Sequence, residues 1–283
     1  MDGFLFIDKP IGMTSRDVCN QISRLFKTKK VGHIGTLDPF ATGLLIVTIN
    51  KGNKAGTFLD GFSKEYIASL LLGEESSTGD TEGEITKKEE VKAYSIEEIN
   101  KTLNSFLGKS MQIPPMTSAI SINGKKLYKL AHQGKEIERP AREINVLEIS
   151  LEDYKNNVIT FKTFVSKGTY IRVLGEDIAK KLDTVGHLIS LRRTKVGPFD
   201  ISEAHKLEDI NESSIVSIYD VLSRFSNVYK ANEKMEKDIK DGKILELIVD
   251  IENDNVLVVN QNNEAIAMYK KENDVLKFQR GLF

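Results

Sequence analysis

GHIGTLDPFATG, residues 32–43, sets a histidine, an aspartate and a proline among three glycines within twelve residues. Such a stretch predicts neither a regular helix nor a central strand. Gly32, Gly35 and Gly43 permit backbone angles that other residues avoid, and Pro39 removes a donor and fixes one dihedral. A turn this constrained holds one side chain, Asp38, in a fixed direction. Two readings stand at this point: Asp38 bonds its own backbone in a tight surface turn, or the turn aims its carboxylate into a site.

The flanking sequence supplies the elements that carry this turn. FLFID (4–8) predicts a short strand. Thr14 with Asp17 predicts a capping pair for an amphipathic helix bearing Val18, Ile22, Leu25 and Phe26 at helical spacing. GLLIVTI (43–49) has the pattern of a buried strand, and KEYIASLLLG (64–73) predicts another. Ser95 with Glu98 forms a capping box for a helix carrying Ile96, Ile99, Leu103, Phe106 and Leu107, closed by Gly108. IPPMTSAI (113–120) is extended, because two prolines forbid helix. Residues 124–142 predict a basic excursion with a short helix at its centre, and 146–154 with 158–166 a hairpin. After Lys167-Gly168-Thr169, residues 170–182 predict a helix with Ile171, Leu174, Ile178 and Leu182 on one face. From about residue 230 the composition shifts to short β-runs, ELIVDI, NVLVV, EAIAMY and DVLKF, which predict a small all-β module. The whole reads as an α+β domain of catalytic size with a β-rich C-terminal appendage, without internal repeats.

Composition narrows the classes. The 283 residues are 40% hydrophobic and 29% charged, enough for a sizeable core. The single cysteine, Cys19, excludes a disulfide framework and a multi-cysteine zinc site. The four histidines lie far apart without ligand spacing, so the sequence predicts no metal. MDGFLFIDKP has no basic n-region, and the apolar run near Leu44–Val47 is too short to cross a bilayer. A reducing, cytoplasmic setting without membrane attachment is the expectation. Net charge is −1. Its distribution is uneven: residues 74–99 hold nine acids and three lysines, whereas 124–142 hold six Lys/Arg and two acids, and 162–195 eight Lys/Arg and three acids. A neutral total can therefore hide a basic face for a polyanion, although charge runs are also ordinary solvated surface.

No P-loop, dinucleotide fingerprint or GxSxG elbow is present. What remains is a turn carboxylate (Asp38), a tyrosine on a strand (Tyr66) and an arginine after KGTY (Arg172). A carboxylate can act as nucleophile or general base, and an arginine keeps it ionised in a closed pocket. A tyrosine offers a ring for stacking on a planar base and a hydroxyl. Tyr66 also reads as a half-buried strand residue and Arg172 as a surface ion-pair partner. Spacing alone does not bring the three together.

KPIGMTS (9–15), GHIGTLDPFATGLL (32–45), KEY (64–66), KGTYIRVLGEDI (167–178) and GHLISLRR (186–193) occur in that order. Together they resemble the TruB family of pseudouridine synthases, which modify uridine 55 in the TΨC loop of transfer RNA. PPMTSAISINGKKLYKLAHQGKEIERPAREI (114–144) resembles the family's RNA-gripping insertion. The resemblance implies a mixed, mainly antiparallel pseudouridine-synthase sheet flanked by helices, over residues 1–228, with the insertion at about 112–144. It implies a small PUA-like C-terminal domain over 229–283, for which covering an exposed sheet edge is the plainer alternative. It makes Asp38 the catalytic aspartate, Arg172 its partner, and Tyr66 the residue that stacks on the target base and helps remove the final proton. The implied RNA-facing residues are His33, Lys9, Leu191, Lys125, Lys126, Arg139 and Arg142. Of these, His33 lies against the loop where the base has left its stack, Leu191 is an apolar contact near the base, and Lys9 with Pro10 supports the site rather than the chemistry. The sequence departs from the family where Thr117 replaces a usual tyrosine and Ser121 a usual lysine, and mildly at Ile34 and Phe40.

The implied reaction is an isomerisation without net redox change or hydrolysis, so no cofactor is expected. The expected partner is tRNA, through its T-arm. The chain resembles the stand-alone bacterial form, which implies a monomer without an obligatory protein partner, rather than the guide-RNA-dependent relatives. An RNA-binding or RNA-folding factor with dispensable catalysis is the alternative, and the basic excursion would serve it equally.

Overall fold

Apolar alternation builds one large sheet, and capping boxes start the helices laid on it. The computed structural model describes residues 1–118, 120–122, 124–131, 133–241, 254–272 and 275–283. In chain order the first elements are β1 (Gly3–Lys9), α1 (Ser15–Leu25), β2 (Val31–Ile34), β3 (Thr42–Ile49), α2 (Gly52–Ala55) and β4 (Lys64–Leu72). The hairpin β5 (Glu74–Ser76)/β6 (Ile85–Lys88), α3 (Ile96–Asn104) and β7 (Gly108–Gln112) follow. The small hairpin β8 (Ser121–Ile122)/β9 (Lys125–Lys126) and α4 (Leu127–Ala131) lead to β10 (Arg142–Lys155), β11 (Val158–Val165), α5 (Ile171–Lys181) and β12 (Gly186–Val196). The chain ends through β13 (Phe199–Asp200), β14 (His205–Lys206), α6 (Ile218–Leu222), β15 (Asn227–Lys230), α7 (Glu233–Lys240), β16 (Asn255–Val259), β17 (Ala265–Glu272) and β18 (Val275–Gly281).

The main sheet has the order β14-β1-β3-β12-β4-β11-β10-β7, with β2 on β3 and β13 on β12. Its pairings are antiparallel except β1–β14 and β3–β12. β3 is apolar along nearly its whole length because both of its faces are covered. One face packs Leu5, Ile7 and Val47 against Val18 and Ile22 of α1, Ile99 and Leu103 of α3, and Ile171, Leu174 and Ile178 of α5. The other packs Phe4, Phe6, Ile46 and Phe199 against α6 and against Leu257, Val259 and Met268 of a second, four-stranded sheet, β15-β16-β17-β18.

Thr14 and Ser95 both form the predicted capping boxes. The β10–β11 hairpin turns at Asn156 and Asn157, both at positive φ, the geometry asparagine tolerates best after glycine. Three expectations change. Residues 32–34 lie in β2, a short strand that pairs on one side only, because Gly32 and His33 still match Thr48 and Val47 of β3. α3 ends at Asn104 rather than at Gly108, because β7 begins pairing with Val146 at Gly108 and leaves Phe106 and Leu107 in the connection. The C-terminal region is not all β: Asn232 caps α7, whose buried residue is Ile239. ELIVDI (246–251) lies outside the described residues.

Candidate active site

The turn at Asp38 is held from three sides. Ser15 Oγ, at the start of α1, accepts from the amide of Leu37 at 2.9 Å and lies 3.0 Å from its carbonyl. Arg193, fully buried on β12, donates from Nη2 to the carbonyl of Gly35 (2.8 Å) and from Nε to that of Leu44 (2.7 Å). Lys9 donates to the carbonyls of Met13 (2.6 Å), Pro10 (2.9 Å) and Pro39 (3.3 Å). Gly43, at φ +100°, lets β3 pass the backbone of Arg193; a Cβ there would lie 2.2 Å from the Arg193 carbonyl oxygen. The glycines of the opening stretch thus serve close backbone approach as well as the turn.

The Asp38 carboxylate meets a distant arginine, which decides between the two readings of the turn. Arg172 Nε lies 2.9 Å from Oδ2 of Asp38, and Arg172 Nη1 lies 3.3 Å from Oδ2 of Asp80. The guanidinium also donates to the carbonyl of Thr78 (2.7 Å), the hydroxyl of Thr117 (2.8 Å) and the carbonyl of Thr117 (3.2 Å). Arg172 sits in the first turn of α5. The start of that helix is fixed by Gln112, which accepts from the Tyr170 amide at 2.8 Å and donates to its carbonyl at 3.1 Å. Arg172 and Asp80 are almost fully buried, whereas the Asp38 side chain keeps a third of its surface, facing the cavity. Burial pushes the Asp38 carboxyl above the usual carboxylate range; Arg172 pulls it back, and the charge of Asp80 pushes it further up. Burial, then Asp80 and Asp38, also raises the nearby Glu82.

Asp38, Tyr66, Arg172 and Leu191 line one cavity of about 480 Å³, with Lys64, Thr117, Tyr170 and Arg193. Strand register explains the grouping. On β4 and β12, Tyr66 lies opposite Arg193 and Ala68 opposite Leu191, so period-2 alternation puts all four on one face. At the mouth, Lys167 and Asp60 form an ion pair at 2.5 Å. Burial lowers Lys64 to about 8; its ammonium donates to the carbonyl of Phe62 at 2.8 Å.

The other predicted residues lie elsewhere. His33 lines a neighbouring cleft of about 260 Å³, which shares Asp60 with the main cavity. Its Nδ1 is 3.5 Å from Cys19 Sγ and its Nε2 is 3.2 Å from Thr36 Oγ1. Burial, helped by Arg16 and Arg193, lowers it to about 4, so the ring is neutral at neutral pH. Lys9 departs from the RNA-facing set: it has no exposed surface, and its ammonium is taken up by the three carbonyls. Burial, the largest influence, lowers it to about 8. This placement makes it a brace of the Asp38 turn. Lys125 and Lys126 are exposed on the β8–β9 hairpin, and Arg142 at the start of β10. Arg139 is mostly covered and pairs with Glu136 at 3.1 Å. It lines a separate cavity of about 740 Å³ with Pro114, Thr117 and Glu176.

Asp80, Thr117 and Arg193 escape the sequence reading as site residues. Asp80 lies in STGDTEG (77–83), where two glycines and an aspartate repeat the character of the opening turn; counted as bulk acidity, that signal is lost. Its Oδ1 accepts from the Thr78 hydroxyl (2.5 Å) and the Glu82 amide (2.9 Å).

Comparisons with known proteins point to one family. The model of the TruB family pseudouridylate synthase N-terminal domain matches residues 23–171, and that of the tRNA pseudouridylate synthase B C-terminal domain matches 172–221. Their junction falls inside the site: Asp38 and Tyr66 belong to the first match and Arg172 opens the second. The chain is 41% identical to tRNA pseudouridine synthase B of Hydrogenovibrio crunogenus, over 86% of this chain and 82% of that one. It is 35% identical to the protein of the same name from Mesoplasma florum, over 99% and 97%. Among solved structures, a chain of a Cbf5–Nop10–Gar1 complex shares the fold, with a TM-score of 0.76 at 22% identity over 99% of this chain and 85% of that one. The chain belongs to the TruB family of pseudouridylate synthases.

Proposed function

We propose that the protein isomerises uridine 55 in the TΨC loop of tRNA to pseudouridine, with Asp38 as the reacting carboxylate. The observation that carries this reading is the carboxylate of Asp38, ion-paired to Arg172 at 2.9 Å and facing a 480 Å³ cavity walled by Tyr66 and Leu191. The cavity is of a size to hold one nucleoside. A uridine stacked in a folded loop must first leave its stack, at a cost of roughly a few kcal/mol. In the cavity the Tyr66 ring and the Leu191 side chain supply flat and apolar contacts for the base. The N1–C1′ bond then breaks, the uracil turns, and a C5–C1′ bond forms. The proton on C5 leaves and N1 regains one, so atoms and charge balance without a co-reactant. Asp38 attacks or deprotonates at C1′, C2′ or C6, and Tyr66 helps take the C5 proton. Arg172 favours the anionic form of the carboxylate, in opposition to its burial. Lys125, Lys126, Arg139 and Arg142 belong, on this reading, to an insertion that holds the RNA. Residues 229–283 form a PUA-like domain for the rest of the tRNA. The enzyme works in the cytoplasm as a stand-alone monomer.

The test is positional. A full tRNA transcript incubated with the protein alone is treated with a carbodiimide that marks pseudouridine and then copied by reverse transcriptase. A new stop at the TΨC-loop uridine is expected. A stop only elsewhere, or tight binding with no stop, contradicts the assignment; binding alone points to the RNA-binding role.

A further inference from the structure

Helix α1 starts at the catalytic turn and runs away from it with a basic outer face. Ser15, its first residue, is bonded to Leu37, and Arg16 follows. Val18, Cys19 and Ile22 are buried, while Arg16, Asn20 and Arg24, four residues apart, are exposed on the opposite side. Lys27, Lys29 and Lys30 continue the exposed series from the end of the helix into β2, the strand that carries His33. Residues 16–30 hold five cations and one acid, Asp17, whose carboxylate is occupied in the Thr14 capping box.

These five cations lie together within fifteen residues. Elsewhere several lysines carry ion pairs, as Lys87 with Glu89, Lys109 with Glu143 and Lys162 with Glu65. Among the described residues, no carboxylate pairs with Arg16, Arg24, Lys27, Lys29 or Lys30. In a chain of net charge −1, a +4 segment beside the cavity leaves its field to an outside polyanion. From Arg16 to Arg24 the helix rises about 12 Å, roughly the axial length of three or four nucleotides of one strand.

We infer that the outer face of α1, with the Lys27–Lys30 segment, is a docking strip for the phosphate backbone of an RNA stem. The stem is the one whose loop delivers its uridine to Asp38. This rests on the proposed function for the occupant of the cavity and adds the surface that orients it. Arg16 holds the strand next to the loop, and Arg24 to Lys30 hold phosphates further down the stem. The strip meets backbone, so it carries register rather than sequence.

The experiment measures binding of a tRNA transcript, and of its isolated T-arm stem–loop, across 50–200 mM salt. The wild type, Arg24→Gln/Lys27→Gln and, as a distant control, Lys155→Gln at the β10–β11 turn are compared. The double variant is expected to bind both RNAs about tenfold more weakly. Its slope of log affinity against log salt should be shallower by about one to two, since each phosphate no longer neutralised lowers the slope by about 0.9. Lys155→Gln should match the wild type. Equal slopes for double variant and wild type overturn the inference. So does a difference seen with tRNA but absent with the stem–loop, and so does a defect confined to kcat. Isomerisation by the wild type is scored separately. If it fails while the slope difference persists, the proposed activity falls and the docking strip stands.

Discussion

Both terminal nitrogens of Arg172 reach Thr117, Nη1 its hydroxyl at 2.8 Å and Nη2 its carbonyl at 3.2 Å. Thr117, shortly before the basic residues 124–142, is thereby tied to the guanidinium that holds Asp38. The tie is made at the position where the resemblance implies a tyrosine. Thr117→Val keeps shape and branching but removes the acceptor for Nη1. A loss of about 1–2 kcal/mol in positioning corresponds to a single-turnover rate roughly 5- to 30-fold lower. Thr117→Ser should stay near the wild-type rate. Equal rates for the valine and serine variants would remove the hydroxyl from the account.

Asp80 backs the same guanidinium, 3.3 Å from Nη1. Asp80→Asn removes a buried partner of Arg172 and should lower stability by about 2–4 kcal/mol, read by denaturant unfolding. It also removes one of the influences that raise Asp38. The acid limb of the pH–rate profile, where Asp38 takes up its proton, should therefore move to lower pH. A limb that moves to higher pH would contradict the electrostatic reading.

Glu176, on α5 behind Arg172, is raised to about 7, chiefly by burial and then by Asp177. A carboxyl that binds its proton more tightly folded than unfolded stabilises the fold only while it is protonated. That contribution is complete below the unfolded value near 4.5 and is lost as pH rises through about 7. Glu176→Gln should therefore flatten the fall in stability between about pH 5 and 7, on the order of 1–2 kcal/mol. Unfolding curves of both proteins across that range check it, and parallel curves would refute it.

Gly43→Ala sets a Cβ against the backbone of Arg193 at positive φ. Strand β3 cannot keep its parallel pairing with β12 at Arg193 without moving the Asp38 turn. A melting temperature lower by several degrees, with activity falling further than stability, is expected at a cost of about 2 kcal/mol or more. Gly61, with open space around its Cβ position, is the contrasting site, where alanine should change little.

Local signals made most elements legible. Thr14 and Ser95 start helices because each has an acidic partner three residues on, and Val158–Val165 alternates because only one of its faces is buried. The turn at Asp38 was legible as constrained because glycine and proline mark it. Its partner was not, because Arg172 arrives from α5, and no local pattern records which carboxylate a distant guanidinium meets. The grouping of Tyr66, Leu191 and Arg193 depends on the register of β4 with β12, a long-range pairing with two irregularities. Lys9, which the resemblance groups with the RNA-facing residues, is instead satisfied by backbone carbonyls. The resemblance, rather than periodicity, connected the motifs before the fold did.

The most direct test of the central claim is tritium release from a full tRNA transcript labelled at C5 of uridine, with the Asp38→Asn variant alongside. RNA binding is measured on the same samples. The account predicts release approaching one equivalent per tRNA with the wild type and no cofactor added. With Asp38→Asn release should be nearly abolished while binding persists. Release by Asp38→Asn at the wild-type rate would contradict it.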